Sequence, residues 1–159
     1  INEMLKFSKQ NNLPSVLVTF DPNPFVVLNN LEKSKYHLMS LPHKYNILDS
    51  MGVDYLYELN FDRAMSEIGA EEFLYKFIIN PFNPKNIVIG YDHHFGRGRE
   101  GDALFLSKYK DENKYSLDII DAYRIDGKPV IVSYSLPITF VVQGSNTEIF
   151  NVHKSKIRY

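Results

Sequence analysis

The sequence contains no cysteine, which excludes a disulfide framework and a thiolate metal site. No apolar run approaches the roughly 20 residues that a transmembrane helix needs, and no signal-peptide pattern is present. The formal net charge of −1 lacks the basic excess that electrostatic binders of nucleic acids or membranes usually carry. These absences predict a soluble, cytoplasmic protein with no nucleic-acid or membrane partner.

The composition is that of an ordinary globular domain. The 159 residues are 44% apolar and 23% charged, enough for one sizeable core. An apolar run predicts a strand buried on both faces at Ser15–Phe20, and Val53–Leu59 is typical of a second strand. Helical spacing predicts one helix after Ser40 and another over Glu71–Ile79, the second ended by Pro81. Alternating strands and helices place the chain in the α/β class, with a parallel sheet at its centre.

The stretch with the most chemistry runs from Ile87 to Asp102. It begins as the end of a buried strand and becomes a loop with four glycines, two arginines, two histidines and two aromatic residues. A helical pattern follows, and strand, glycine loop and helix together present a phosphate site in many α/β sheets. Arg97 and Arg99 add planar donor forks. Because the loop matches neither the P-loop nor the dinucleotide fingerprint, a plain solvated turn is an equal alternative.

A second polar turn follows the first strand, at Asp21-Pro22-Asn23-Pro24. The two prolines stop the strand and stiffen the turn, so a rigid connection is one interpretation. The other is functional, because open α/β sheets bind ligands at the carboxyl ends of their strands. Asp21 and Asn23 are then candidate ligand contacts.

Further along, the pattern predicts a helix over Ala103–Lys110 and a strand over Tyr115–Ile125. Asp126-Gly127 is the strongest hairpin signal in the sequence. Ile138–Val142 and Glu148–Val152 indicate two more strands.

These motifs together resemble one known family. Gly90–Asp102 resembles the "G-[FY]-D-F-x-F-G-K-x-R-x-G" signature of the bacterial FAD synthetases, FMN adenylyltransferase modules usually joined to a riboflavin kinase. Thr19–Pro24 resembles the family's T-F-D-P-H-P motif, with Asn23 where a histidine usually stands. The segment from Leu41 to Arg63 resembles the block between these motifs, and His153–Arg158 resembles its S-S-T-x-I-R motif. Residues 135–151 fit the family pattern less well and are an insertion or a pairing that the sequence does not assign.

The resemblance implies a Rossmann-like nucleotidyltransferase fold and the transfer of AMP from magnesium-bound ATP to FMN, giving FAD and pyrophosphate. By position, Asp92 would hydrogen-bond a ligand, and Ser155 and Arg158 would contact phosphate. Pro22, Pro24 and Phe95 would flank the flavin ring. The candidate substrate-binding residues, including two arginines chosen for their charge, are Asp21, Pro22, Asn23, Pro24, Asp92, Phe95, Arg97, Arg99, Ser155 and Arg158.

One departure from the family is large. Its members carry a "G-x-F-D-G-x-H-x-G-H" segment on the first strand and the helix after it, and those histidines stabilise the ATP phosphates. No H-x-G-H occurs in this sequence, and Ile1–Gln10 resembles the remainder of that helix. We therefore expect residues 1–159 to be a partial adenylyltransferase domain without its first strand and without a riboflavin kinase module. Such a fragment is expected to be inactive or nearly so, with unpaired backbone inside the sheet and self-association or a swapped strand as ways to complete it.

Other functions stay open at this point. One is another adenylyl- or cytidylyltransferase of the same superfamily, and another is a flavin- or nucleotide-binding module without catalysis. The adjacent His93 and His94 do not favour a transition-metal site, because neighbouring residues rarely ligate one ion without further ligands. Magnesium would arrive with ATP. Arg63 is expected to pair with a surface acid, with a phosphate contact as the alternative.

Overall fold

A computed structural model describes residues 1–32, 40–122, 124–126, 128–129, 138–142 and 153–154. Its strands are β1 Ser15–Phe20, β2 Tyr55–Leu59, β3 Pro84–Gly90, β4 Ser116–Ile120, β5 Arg124–Ile125, β6 Lys128–Pro129, β7 Ile138–Val142 and β8 His153–Lys154. Its α-helices are α1 Asn2–Asn11, α2 Pro24–Leu28, α3 Leu41–Met51, α4 Arg63–Ser66, α5 Ala70–Phe73, α6 Asn80–Phe82 and α7 Ala103–Asn113. Ser155, Arg158 and the strand predicted over Glu148–Val152 lie outside the described residues.

Six strands form one sheet in the order β4-β3-β7-β1-β2-β8. β1 pairs with β2 in parallel, and β3 pairs with β4 in parallel. β7 is antiparallel to both β1 and β3, so those two strands run in the same direction. The predicted α/β class with a central parallel sheet is therefore confirmed. The carboxyl ends of β1, β2, β3 and β4 all lie at one edge of the sheet.

The position between β1 and β3 is filled by β7. The sequence analysis expected unpaired backbone in the sheet, and for these strands that expectation is wrong. Val16 pairs with Phe140 on one side of β7, and Ile87 pairs with the same residue on the other. Ile138–Val142 was predicted as a strand, and the pairing that the sequence did not assign to it fills the place attributed to self-association or a swapped strand.

The sheet separates two apolar layers. On one face, residues of α1 and α3 pack with Leu17, Leu56 and Val88. On the other face, the helical segment before β3 and helix α7 pack with Val18 and Ile89. The β1–α3–β2 connection covers the first face and the later connections cover the second, so the winding reverses between β1 and β3. That reversal is the topological switch point at which α/β sheets bind ligands.

The helix predicted to stop at Pro81 continues past it. Ala70–Phe73 is α-helical, Leu74–Ile79 is a π-helical turn, and Asn80–Phe82 completes the segment before Asn83 adopts a φ of 42°. The wider π-helical turn changes the i−4 spacing with which a proline ring would clash.

The strand predicted over Tyr115–Ile125 is observed as two separate strands, β4 and β5. The hairpin predicted at Asp126 is confirmed, because β5 and β6 pair antiparallel across it.

Asn86 fixes the register of β3 against β4. Its side chain is 0% exposed, and its amide nitrogen donates to Ser116 Oγ at 2.9 Å and to Asp118 Oδ2 at 2.8 Å. We expect Asn86→Asp to lower the free energy of unfolding by about 2 kcal/mol, and the Tm by about 4–8 °C, because two donors become acceptors facing a carboxylate. Thermal melts at several pH values check this result. The deficit should shrink toward pH 4, where protonation of one carboxyl removes the repulsion; a deficit independent of pH would contradict the argument.

Candidate functional site

Two loops flank the switch point at the carboxyl edge of the sheet. The turn after β1 begins at Asp21, whose backbone N–H donates to the Leu59 carbonyl at 3.0 Å. The glycine loop after β3 begins at Tyr91, whose N–H donates to the Ile120 carbonyl at 2.9 Å. These bonds extend the parallel ladders past the ends of the strands and fix where each loop leaves the sheet. The sequence-predicted residues of both loops are therefore brought to the same edge.

The turn after β1 is built to start a helix. Asn23 is the N-cap of α2, and its Oδ1 accepts a hydrogen bond from Phe25 N–H at 2.9 Å. Pro24 occupies the first helical position, where its missing N–H costs nothing. Asp21, Pro22, Asn23 and Pro24 are all partly buried. The amide at position 23 thus has a capping role that needs no titrating imidazole.

The glycine loop is fastened to the start of α5. Arg97 N–H donates to the Ile68 carbonyl at 2.8 Å, and the Glu100 carboxylate accepts from Ala70 N–H at 2.7 Å. Phe95 and Gly101 exchange both backbone hydrogen bonds at 2.9 Å, which closes the loop on itself. Glu100 was missed by the sequence analysis, since its partner lies 30 residues away and no local pattern marks the contact.

Phe95 lies in the core. Its side chain is 7% exposed, and its ring centroid is 5.5 Å from that of Phe73 and 5.8 Å from that of Phe105. His93 stacks on the same ring at 6.2 Å. This burial is at odds with the expected place of Phe95 beside a flavin ring, because protein side chains already cover its faces. Tyr91, 52% exposed, is the accessible aromatic side chain of the loop.

Several polar residues of the loop are exposed. They are Asp92, His94, Arg97, Arg99 and Glu100. One Nη of Arg99 lies 3.0 Å from His94 Nδ1, which is also 2.9 Å from the Asp92 carbonyl oxygen. A single ring nitrogen can accept from the guanidinium or donate to the carbonyl, but not both at once. The contact holds one arginine over the loop and leaves the Asp92 carboxylate at the surface.

Aspartates cap the helices that begin at this edge. Asp102 Oδ1 accepts from Phe105 N–H at 2.7 Å at the start of α7, and Asp62 Oδ1 accepts from Met65 N–H at 2.7 Å at the start of α4. Arg63 was expected to pair with an acid. It donates instead to the Leu28 carbonyl at 3.3 Å and to Asn30 Oδ1 at 3.0 Å, and so links the start of α4 to the end of α2.

The described part of the chain lacks two kinds of feature. No helix there is long and apolar enough to span a membrane. No group of three or more histidine, aspartate or glutamate side chains there comes together as a metal site.

A doubly wound sheet with a proline-stiffened turn and a glycine-arginine loop at its switch point has a Rossmann-like fold. The family model described as FAD synthetase matches residues 1–134. The chain belongs to the FAD synthetase family.

Several known proteins are similar to this chain. A bifunctional riboflavin kinase/FMN adenylyltransferase of Listeria monocytogenes is 30% identical over 121 residues, covering 76% of this chain and 38% of that protein. Its counterpart in Escherichia coli K12 is 33% identical over 111 residues, covering 70% and 34%. An FAD synthetase of Listeria monocytogenes is 30% identical over 106 residues, covering 67% and 42%. The chain thus spans less than half the length of these relatives.

A solved structure supports the fold. The crystal structure titled macrolide-efflux protein from Streptococcus pneumoniae superposes with a TM-score of 0.66 at 25% identity. The match covers 80% of this chain and 42% of that one.

Proposed function

We propose that this chain carries the FMN- and ATP-binding surface for transfer of AMP from ATP to FMN, which yields FAD and pyrophosphate. The observation that supports this most directly is the placement of the glycine loop. It brings Asp92 and two arginines to the same edge of the sheet as the Asp-Pro-Asn-Pro turn. Three relatives whose names include FMN adenylyltransferase or FAD synthetase agree with it.

The residues of the proposed site have different chemical roles. Arg97 and Arg99 neutralise charge on the phosphates, which is the main requirement for transfer between phosphate groups. Asp92 accepts a hydrogen bond from the ligand, and Pro22 and Pro24 supply a rigid apolar edge for a flavin ring. The remaining members of the proposed substrate site are Asp21, Asn23, Ser155 and Arg158. Phe95 supports the loop from the core side rather than touching the ligand.

We expect magnesium to bind together with ATP, coordinated by the ATP phosphates. The described residues supply no cluster for a resident ion, so no step is assigned to a protein-held metal. Self-association is not needed for the described strands, because β7 already occupies the central position.

A non-catalytic binding role is favoured by one observation, the absence of an H-x-G-H motif from the sequence. Incubating the chain with FMN and ATP and measuring FAD separates the two functions. We expect FMN binding, seen as quenching of flavin fluorescence, with little or no FAD formed by residues 1–159 alone. Preference for a pantetheine or choline phosphate over FMN would refute the proposal and favour another nucleotidyltransferase.

Replacement of Asp92 tests the site itself. We expect Asp92→Ala to weaken FMN binding about 10- to 100-fold, since a hydrogen bond to a charged group contributes roughly 1.5–3 kcal/mol. The Tm should change little because Asp92 is exposed at the end of β3. Asp111→Ala, an exposed aspartate on α7, is the matched control for the loss of one negative charge. Equal losses of binding and of thermal stability would show that Asp92 is structural.

A further inference from the structure

A lysine outside the two loops lies at the same edge of the sheet. Lys44 is in the first turn of α3, where its backbone N–H donates to the Ser40 carbonyl at 3.0 Å. A helix that connects two parallel strands starts near the carboxyl end of the first, so this turn lies beside the end of β1. The Lys44 side chain is partly buried there.

The neighbour that orients Lys44 is a hydroxyl. Its Nζ donates to Thr19 Oγ1 at 3.4 Å. Thr19 follows Leu17 by two residues on β1 and therefore points to the same face of the sheet, the face covered by α3. It is also two residues before Asp21. The ammonium group is thus held next to the start of the Asp-Pro-Asn-Pro turn.

Glu58 is the nearest strand partner of Thr19, since the two residues pair in register between β1 and β2. One oxygen of its carboxylate accepts a hydrogen bond from another residue, since Tyr45 Oη donates to Glu58 Oε2 at 3.2 Å. Burial, followed by the proximity of Glu58 and Asp21, raises the pKa of Tyr45 and keeps its phenol protonated as a donor. The tyrosine therefore holds the acid, while the lysine is oriented by a neutral group.

A lysine ammonium has three donors. One of them meets Thr19, and a phosphate oxygen is the acceptor that a cation at this edge of a nucleotide-binding sheet fits best. We propose that Lys44 is a further phosphate-binding residue of the site, approaching the substrate from the β1–α3 side while Arg97 and Arg99 approach from the β3 side. Thr19 is a positioning residue that aims the lysine. This inference rests on the proposed function and extends it to a residue outside the candidate substrate-binding set.

The test compares three ligands on the full chain. Lys44→Gln should weaken binding of FMN, or of ATP, about tenfold, whereas riboflavin, which carries no phosphate, should bind as to the unaltered chain. Comparing the loss of FMN binding with the loss of ATP binding shows whether Lys44 contacts the phosphate of FMN or the phosphates of ATP. Lys44→Arg, which keeps the charge, should restore most of the affinity. Lys108→Gln, an exposed lysine on α7, controls for the change in net charge.

The outcomes separate this inference from the function on which it rests. If the unaltered chain binds FMN or ATP and Lys44→Gln binds both equally well, Lys44 is not a phosphate contact and only this inference falls. Equal weakening of riboflavin and FMN by Lys44→Gln would also overturn it, because the effect would not depend on phosphate. If the unaltered chain binds none of the three ligands, the proposed function falls and this inference with it.

Thr19 gives a second readout. Thr19→Val should reduce the phosphate-dependent part of the affinity, measured as the ratio of riboflavin to FMN dissociation constants, and Thr19→Ser should restore it. A side chain that merely packs would not be rescued by the hydroxyl alone. If Thr19→Ser does not restore the phosphate-dependent affinity, Thr19 does not position Lys44.

Discussion

Gly96→Ala is expected to detach the glycine loop from the start of helix α5. A Cβ at this position would lie 2.7 Å from both the backbone nitrogen and the Cα of Ala70. Gly96 also has a φ of 74° and a ψ of 170°, a conformation almost restricted to glycine. Strain and overlap together should lower the free energy of unfolding by about 3 kcal/mol or more, and the Tm by roughly 6–12 °C. FMN binding should be lost with the loop's position.

Gly98→Ala is the matched control, because it changes the same residue type two positions away. Gly98 has a φ of 61° and a ψ of 14°, and a Cβ there would have no neighbour within 4 Å. Only the cost of a left-handed alanine remains, about 1 kcal/mol. Differential scanning calorimetry of the two variants measures the difference. Equal destabilisation would mean that the close approach of the loop to α5 is not what holds it.

The first strand was predictable because burial on both faces leaves a continuous apolar run. Ser15–Phe20 was predicted with its observed bounds, and the strand predicted over Val53–Leu59 is shorter by two residues. Local chemistry also bounded α3 correctly, since Ser40 and Gly52 are its caps. In each case the signal and the structure lie within the same few residues.

Contacts between distant residues were not predictable in this way. Glu100 binds the start of α5 across 30 residues of sequence, and no local pattern marks the contact. The place of β7 between β1 and β3 depends on which strands are left without a neighbour, a property of the whole sheet. Lys44 belongs to the same group, because only the packing of α3 brings it to Thr19.

The aromatic side chains of the glycine loop show most directly what the sequence does not determine. The sequence presents Tyr91 and Phe95 in one loop that is predicted to bind a ligand, and nothing in the local pattern tells which side chain faces out. The backbone pairing of Phe95 with Gly101 turns the phenylalanine inward, toward Phe73. The resemblance to the family located the loop correctly but does not determine the direction of each side chain.

Phe95→Ala is therefore expected to act on stability. Removing a ring that packs against two other phenylalanines and a histidine leaves a cavity, and such changes lower the free energy of unfolding by about 3–5 kcal/mol. The Tm should fall by roughly 6–20 °C. Phe95→Leu, which refills part of the space, should recover much of the loss. Urea titration of the three proteins gives the free energies.

Tyr91→Ala separates packing from ligand contact, because it removes the exposed ring of the same loop. With 52% of its surface accessible, this side chain should contribute less than about 0.5 kcal/mol to folding. FMN titrations below the melting range of each variant then complete the comparison. If Phe95→Leu keeps its affinity, the core position of Phe95 accounts for its whole effect. If it folds stably and still loses FMN, the ring contacts the flavin after all and the packing interpretation is wrong.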